Sequence, residues 1–296
     1  MRQFILVLLL IATSNYSYAQ DKSGMVLNVE NVTAIPYALI TNIDRSFGVS
    51  SDSSGVFSIP PPELEQAKKW IVSAIGFRAD TFQVSHSEWV FKLKKQVTTS
   101  APTEFTKLKK PNKPIAIGIT SQGASLRYGM PPNSNTELAL FIENPKNKTG
   151  QLTGFNLFIG NYGVLKTPCR VRLYQNQLGI PFTEITTKNV IIFPYALYQW
   201  NHFDLSEMGL EFPKEGCFVS IEWLNMNNPE HVYDLRKSGG SAVGIGPSIL
   251  LDSETIAHPL LFGRSNEGLW EKRNKLVWNR FHLNGYSPNI HINVVF

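Results

Sequence analysis

From Ile115 to Phe296 the chain is a succession of short runs in which apolar and polar residues alternate, broken by turn formers and with almost no helical period. Phe155, Leu157 and Ile159 alternate with Asn156 and Phe158. Val171 and Leu173 alternate with Arg170, Arg172 and Tyr174, and Val219, Ile221 and Trp223 with Ser220 and Glu222. A period of two sends successive side chains to opposite faces, so each run predicts a half-buried antiparallel strand whose polar residues face water. About ten such strands in roughly 180 residues suit a two-sheet, jelly-roll-like β-sandwich. Pro213-Lys214-Glu215-Gly216 reads as a turn that delivers Phe218 to Leu224 as a core strand.

The chain begins with Met1-Arg2-Gln3, an apolar run from Phe4 to Ala12 and the small residues of Ser17-Tyr18-Ala19. That pattern predicts a signal peptide over residues 1–19, its apolar run being shorter than the roughly 18 residues of a membrane-spanning helix. Gln20 rather than Cys follows the cut, which argues against a lipid anchor, and no transmembrane helix is expected after signal removal. The expected location is outside the cytoplasm: periplasm, outer membrane or cell surface. The formal charge of +5 is modest. Much of it sits in Lys92, Lys94, Lys95, Lys107, Lys109, Lys110 and Lys113, around the stretch from Gln96 to Thr103. Such a Thr/Ser/Pro segment buries little and predicts a linker over 96–113, between a first domain at 20–95 and a second at 114–296. The first domain is expected to fold on its own, with few contacts crossing the boundary. Export and the lack of a recognition motif argue against nucleic acid as a partner.

The first domain carries three ordered landmarks: Ile35-Pro36-Tyr37-Ala38-Leu39-Ile40, then Gly48 to Ile59 with Ser51-Asp52-Ser53-Ser54-Gly55 and Phe57, then Ser73-Ala74-Ile75-Gly76-Phe77. Asp52 can bond its own backbone two residues on and Gly55 can take a positive φ, so 51–55 reads as a turn, with Val49 and Val56 flanking it in a β-hairpin. A strand Phe directly after such a turn is expected in the core. Pro62 to Lys69 is the one helix candidate, with Glu65 and Lys69 one turn apart. Together the landmarks resemble the carboxypeptidase regulatory-like domain, a small transthyretin-like β-sandwich, over roughly residues 24–94. Met25-Val26-Leu27-Asn28-Val29 replaces that family's usual opening. The resemblance implies an accessory module without zinc ligands, hence a binding or scaffolding role. Two segments of the second domain, Cys169 to Tyr174 with Gly179-Ile180-Pro181 and Trp200 to Leu205 leading to Phe212 to Leu224, are similar to a recurring exported β-sandwich pattern, which implies architecture only. The fold expected is all-β, two β-sandwiches in series.

Local signatures of chemistry are sparse. His86, His202, His231, His258, His282 and His291 include no His-Glu-x-x-His pair, so no metal site is expected; His231 and Asp234 are the nearest spacing. No Gly-x-Ser-x-Gly elbow occurs, and the glycines from Gly239 to Gly246 precede Pro247 rather than a phosphate-binding Gly-Lys-Ser/Thr, so they predict a bend or close sheet contact. No cofactor is expected. Cys169 and Cys217 each begin a strand; in an antiparallel pair those starts lie at opposite ends, which favours two free buried thiols. The terminal run Ile290, Ile292, Val294, Phe296 alternates as a strand does, in soluble sandwiches and in outer-membrane barrels alike.

Arg264, Asn266, Trp270, Arg273 and Trp278 combine flat rings with cationic and amide donors, as binding surfaces do, and are the candidate binding residues. For Trp270 and Trp278 the favoured reading is nonetheless a core aromatic pair closing the sandwich, with a ligand or partner surface second. The leading expectation is a non-catalytic exported envelope protein that binds or scaffolds another envelope protein or complex, within an outer-membrane or secretion-associated assembly. A carbohydrate-binding module with a glycan ligand is the second. A hydrolase with a dispersed site is the third, Glu222, Asp204 and His202 being its first suspects.

Overall fold

A computed structural model describes residues 20–84, 89–96, 113–120, 126–130, 135–238, 243–252, 261–272 and 287–296. The signal segment, nearly all of the 96–113 linker, Arg273 and Trp278 lie outside the described residues. The chain is all-β, built of several sheets consistent with β-sandwich domains.

Among the described residues, strands up to Leu93 pair only with one another. β1 (Lys22–Asn28) lies between β4 (Val56–Ile59), antiparallel, and β7 (Val90–Leu93), parallel. The facing antiparallel sheet runs β3 (Gly48–Ser50), β2 (Leu39–Asn42), β5 (Lys69–Ser73), β6 (Asp80–Gln83). Between the sheets Phe57 is 2 % exposed and stacks on Phe91 at 5.3 Å, while Trp70 meets Phe47 edge-on. Gly24 leaves room for Phe57: a Cβ there would fall 2.4 Å from its ring.

Two local expectations change. Asp52 does organise the turn, its Oδ1 accepting the N–H groups of Ser54 and Val56, with Gly55 at φ 75°. Yet β3 pairs with β2 and β4 with β1, so the turn is a corner between sheets and not a hairpin. Val49 and Phe57 both reach the core from different sheets, which a hairpin would prevent. The helix, α1 (Pro61–Gln66), starts and stops earlier than expected. Pro60 to Pro62 favour the first helical positions. Lys69 is drawn into β5 because Trp70 and Val72 bury on one strand face, so it lies outside the helix.

The remaining strands form two larger sheets. The first runs β13 (Ile180–Glu184), β12 (Cys169–Gln177), β17 (Cys217–Trp223), β10 (Thr136–Ile142), β20 (Leu261–Ser265), β21 (Glu271–Lys272), with β14 (Val190–Ile192) also on β12. The second runs β18 (Val232–Asp234), β19 (Val243–Asp252), β11 (Gly150–Gly163), β23 (Ile290–Val295), β8 (Ile115–Gly118). Off that path, β15 (Trp200–Asp204) and β16 (Leu210–Phe212) also pair with β11, and β9 (Leu126–Met130) and β22 (Ser287–Pro288) with β19. Val171, Leu173, Val219 and Ile221 from one sheet share a core with Phe155, Leu157, Ile290 and Ile292 from the other.

Several sequence signals act as expected. Gly216, at φ 84°, closes the Pro213 turn through its N–H to the Pro213 carbonyl and leads into β17. Gly246 lets β19 pass beside Trp223, whose Cδ1 a Cβ would approach to 2.8 Å. Cys169 and Cys217 are free and buried. Cys169 opposes Trp223 while Tyr174 opposes Phe218, so the thiols sit at opposite ends of the strand pair, roughly 20 Å apart.

Because Phe57 stacks on Phe91 in a small core, Phe57→Ala should lower stability by about 3 to 5 kcal/mol. Thermal or urea unfolding of the two proteins measures this; an unchanged midpoint would contradict the packing.

Candidate functional site

The polar residues expected to face water on β12 and β17 are buried instead, and so is Glu137 on the neighbouring β10. Arg170, Arg172, Ser220, Glu222 and Glu137 are each at most 2 % exposed. Strand register places Arg170 opposite Glu222, Glu222 opposite Glu137 and Glu137 opposite Arg264, a row of charges across four neighbouring strands. The alternation of β12 and β17 is real, but both of their faces are buried, one in the sandwich core and the other among Tyr37, Glu184, the turn after β20 and the cluster with Phe262 and Trp270.

Arg172 is the centre of this layer. Its guanidinium lies 2.8 Å from Glu267, 3.5 Å from Glu222, 3.7 Å from Glu184 and 3.9 Å from Glu137. Arg170 pairs with Glu222 at 3.3 Å and donates to the Tyr37 carbonyl of the first domain's chain. Arg264 donates to Glu137 at 2.8 Å and to the Tyr174 hydroxyl at 2.7 Å. Burial would raise the Glu137 carboxyl, but Arg264 and Arg172 and a hydrogen bond from Ser220 outweigh it and hold it below the usual range. Glu267, likewise opposed by burial, is held at about 2 by Arg172, Arg264 and the Ser73 hydroxyl. Glu222 goes the other way, burial outweighing Arg172 and Arg170. Burial pushes the Glu184 carboxyl up to about 7, with Arg172 only partly offsetting it.

A second set of contacts fixes the first sheets in place. β3 is an edge strand, and an edge leaves backbone groups in need of partners. Asn225 donates from Nδ2 to the Gly48 carbonyl at 2.9 Å and accepts the Ser50 N–H on its own carbonyl. Asn135 takes the Ser50 hydroxyl and the Asn225 N–H on its Oδ1. Asn266 accepts the Asn135 N–H and donates to the Arg45 carbonyl, while the Arg45 guanidinium returns a bond to the Asn266 carbonyl. Gly48 is needed there, since a Cβ would fall 2.3 Å from Asn266 Oδ1. Asn266 and Glu267 both have positive φ, 51° and 54°, and this turn aims one side chain at Asn135 and the other at Arg172.

The expected binding residues therefore sit as follows. Asn266 is 1 % exposed within that junction. Arg264 is largely buried, stacked over Trp270 at 4.3 Å and beside Tyr174. Trp270 is half-buried against the small apolar cluster of Tyr174, Phe218 and Phe262. Arg273 and Trp278 lie outside the described residues. Glu222 lies in the charged layer, in a different sheet from His202 and Asp204 on β15, so the three are not brought together. His231 lies in a 3₁₀ turn, and Asp234 pairs with Arg236. Among the described residues no three His, Cys, Asp or Glu side chains converge as metal ligands, and no helix is long and apolar enough to cross a membrane.

Two features escape a reading by motif. A cleft of about 370 Å³ lies between the Ser73–Phe77 loop with Gln96 on one side and Thr183, Thr186 and Thr187 on the other, with Arg172, Glu184 and Glu267 lining it. Its lip is the Ser73-x-x-Gly76-Phe77 landmark. The other feature is the loop 193–199, between β14 and β15. Asn201, fully buried, accepts the Tyr195 and Ala196 N–H groups on Oδ1 and donates from Nδ2 to the Ala196 and Gln199 carbonyls. The loop so braced exposes Phe193 (46 %), Tyr195 (50 %) and Tyr198 (58 %). A cluster of aromatics around Pro194 in a connection between strands was its only signal in the sequence.

No known family model matches the chain, and no curated protein matches it.

The Glu184 shift has a defined sign. A carboxyl raised from an unfolded value near 4.5 to about 7 binds its proton more tightly in the folded state. Its contribution is thus fully present below the unfolded value and is lost as pH rises through 7. Glu184→Gln should remove that fall, leaving the variant about 1 to 2 kcal/mol more stable than the parent at pH 8 once partial exposure is allowed for, and comparable at pH 4. Urea unfolding from pH 4 to 8 checks this, and parallel curves for the two proteins would contradict it.

Proposed function

We propose that the chain is a non-catalytic, exported protein of the cell envelope that binds or scaffolds another envelope protein, with a first domain of the carboxypeptidase regulatory-like kind as its accessory module. The observation that carries the binding reading is the loop 193–199. Monomeric surfaces rarely hold several large aromatics out to water, and Tyr-rich loops braced from below lose little entropy when a partner covers them. Asn201 provides that bracing from a fully buried position. Three further points support the reading: the export pattern of residues 1–19, the ordered landmarks, and the absence of local catalytic signatures in the sequence. In the first domain, Asp52 to Gly55 turns a corner, Phe57 fills the core and Ser73 to Phe77 edges the cleft, roles consistent with that resemblance. The glycan reading rested on Trp270, and Arg264 already covers one face of that ring, so the protein partner is preferred.

The test is affinity purification of the mature chain from envelope membranes in mild detergent, beside a Tyr195→Ala/Tyr198→Ala variant. Both residues are at least half exposed, so the variant should melt within about 1 kcal/mol of the parent. A defined protein should co-purify with the parent and be depleted at least tenfold with the variant. Equal recovery would place binding elsewhere, and hydrolysis of a polymer by the pure chain would overturn the non-catalytic reading.

A further inference from the structure

We propose that the cleft behind the Ser73–Phe77 loop receives a primary ammonium or guanidinium on a short alkyl stem, such as a lysine or arginine side chain of the partner, with Glu184 as the receiving carboxylate. Only the source of that cation rests on the protein-binding reading; the site itself does not.

The charge pattern carries the argument. Four carboxyls, Glu137, Glu184, Glu222 and Glu267, lie within 4.0 Å of Arg172. Of the guanidiniums nearby, Arg264 is engaged with Glu137, Arg170 with Glu222, and Arg172 makes its closest contact with Glu267. Glu184 is left with a loose 3.7 Å approach to Arg172 Nε. Neither that buried nitrogen nor the buried Glu184 Oε1 makes a hydrogen bond among the described residues, although the Arg172 side chain is only 2 % exposed. The layer thus holds one more carboxyl than it has cations, and the surplus one borders the cleft. Burial raises its pKa first, Glu137 and Glu267 add to the rise, and Arg172 offsets it only in part.

Shape narrows the class. Ala74, Ile75 and Phe77, partly buried, offer carbon surface to a stem, and the threonines offer hydroxyls near the head group. Gly76 leaves the lip open, with no atom within 4 Å of where its Cβ would stand. An anion would add charge to a site already rich in carboxylate. A hard divalent ion needs several oxygens at once, and Glu267 has spent one oxygen on Arg172 and the other on Ser73.

Because the cation requires an ionised Glu184, its affinity should fall as pH drops below 7. The groups facing that carboxyl, Arg172, Arg170, Glu137 and Glu267, act on it over the whole range. Calorimetric titration of the full mature chain with n-butylammonium and with n-propylguanidinium tests the site. At pH 8 each should saturate one site, with affinity about tenfold weaker at pH 6, and butyrate should not bind. Glu184→Gln should lose at least tenfold in affinity. Thr187→Trp, at an exposed rim position, should block the cleft without altering its charge, and it serves if the first variant folds poorly. Putrescine binding more tightly than a lysine-containing peptide would assign the cation to a free diamine, and the reverse to a partner side chain. No saturable binding at pH 8, or equal affinity in both variants and parent, would overturn the proposal. Retention of n-butylammonium binding by Tyr195→Ala/Tyr198→Ala separates this test from that of the loop.

Discussion

Arg172 is a guanidinium with 2 % of its side chain exposed and carboxyl groups from four other segments within 4.0 Å. Taking such a charge from water costs several kcal/mol unless partners surround it. Here they come from β10, β17, β13 and the turn after β20, so satisfying Arg172 fixes how those segments lie on one another. Through Glu267, which also accepts from Ser73, the same charge ties β5 to the larger sheets. Replacing a buried ionic group with apolar residues often preserves stability. Here the charge acts on geometry, because its partners can reach it only when the four segments lie as they do.

The asparagines complete what the charges begin. Asn135, Asn225 and Asn266 supply the bonds that the open edge of β3 would otherwise take from water. An edge strand closed this way is withdrawn from pairing with other chains. The two parts of the protein therefore meet through directional bonds rather than a greasy patch, and the cleft edged by Gly76 and Thr187 keeps a defined shape. Loop 193–199 connects β14 to β15 and is held by Asn201 together with the bonds from Lys166 N–H to the Pro194 carbonyl and from Tyr198 N–H to the Gly160 carbonyl.

Much of the strand content was legible because alternation and turn chemistry are local. Gly216, Phe57 and the placement of the two cysteines follow from short-range rules. The polar faces of β12 and β17 were not legible. Arg170, Arg172 and Glu222 have the spacing of a solvated face, and what surrounds them, Glu137, Glu184, Glu267 and the Tyr37 carbonyl, comes from segments distant in the chain. Nor were the bonds legible that Tyr37, Arg45, Ser50 and Ser73 make to residues beyond the 96–113 segment, since they join groups far apart in the chain. The Asp52 turn was correctly placed but wrongly connected: turn residues specify a reversal, while the partners of Val49 and Phe57 decide whether it joins one sheet or two. Among the candidate residues, Arg264 and Asn266 were singled out for chemistry that they use inside the molecule.

If the charged layer and the asparagines join the two parts as described, neither part should unfold without the other. Differential scanning calorimetry of the mature chain is the most direct check. The account predicts a single transition with a ratio of calorimetric to van't Hoff enthalpy of about 1. Two resolved transitions at pH 7, the first with the enthalpy expected for the first domain alone, would contradict it.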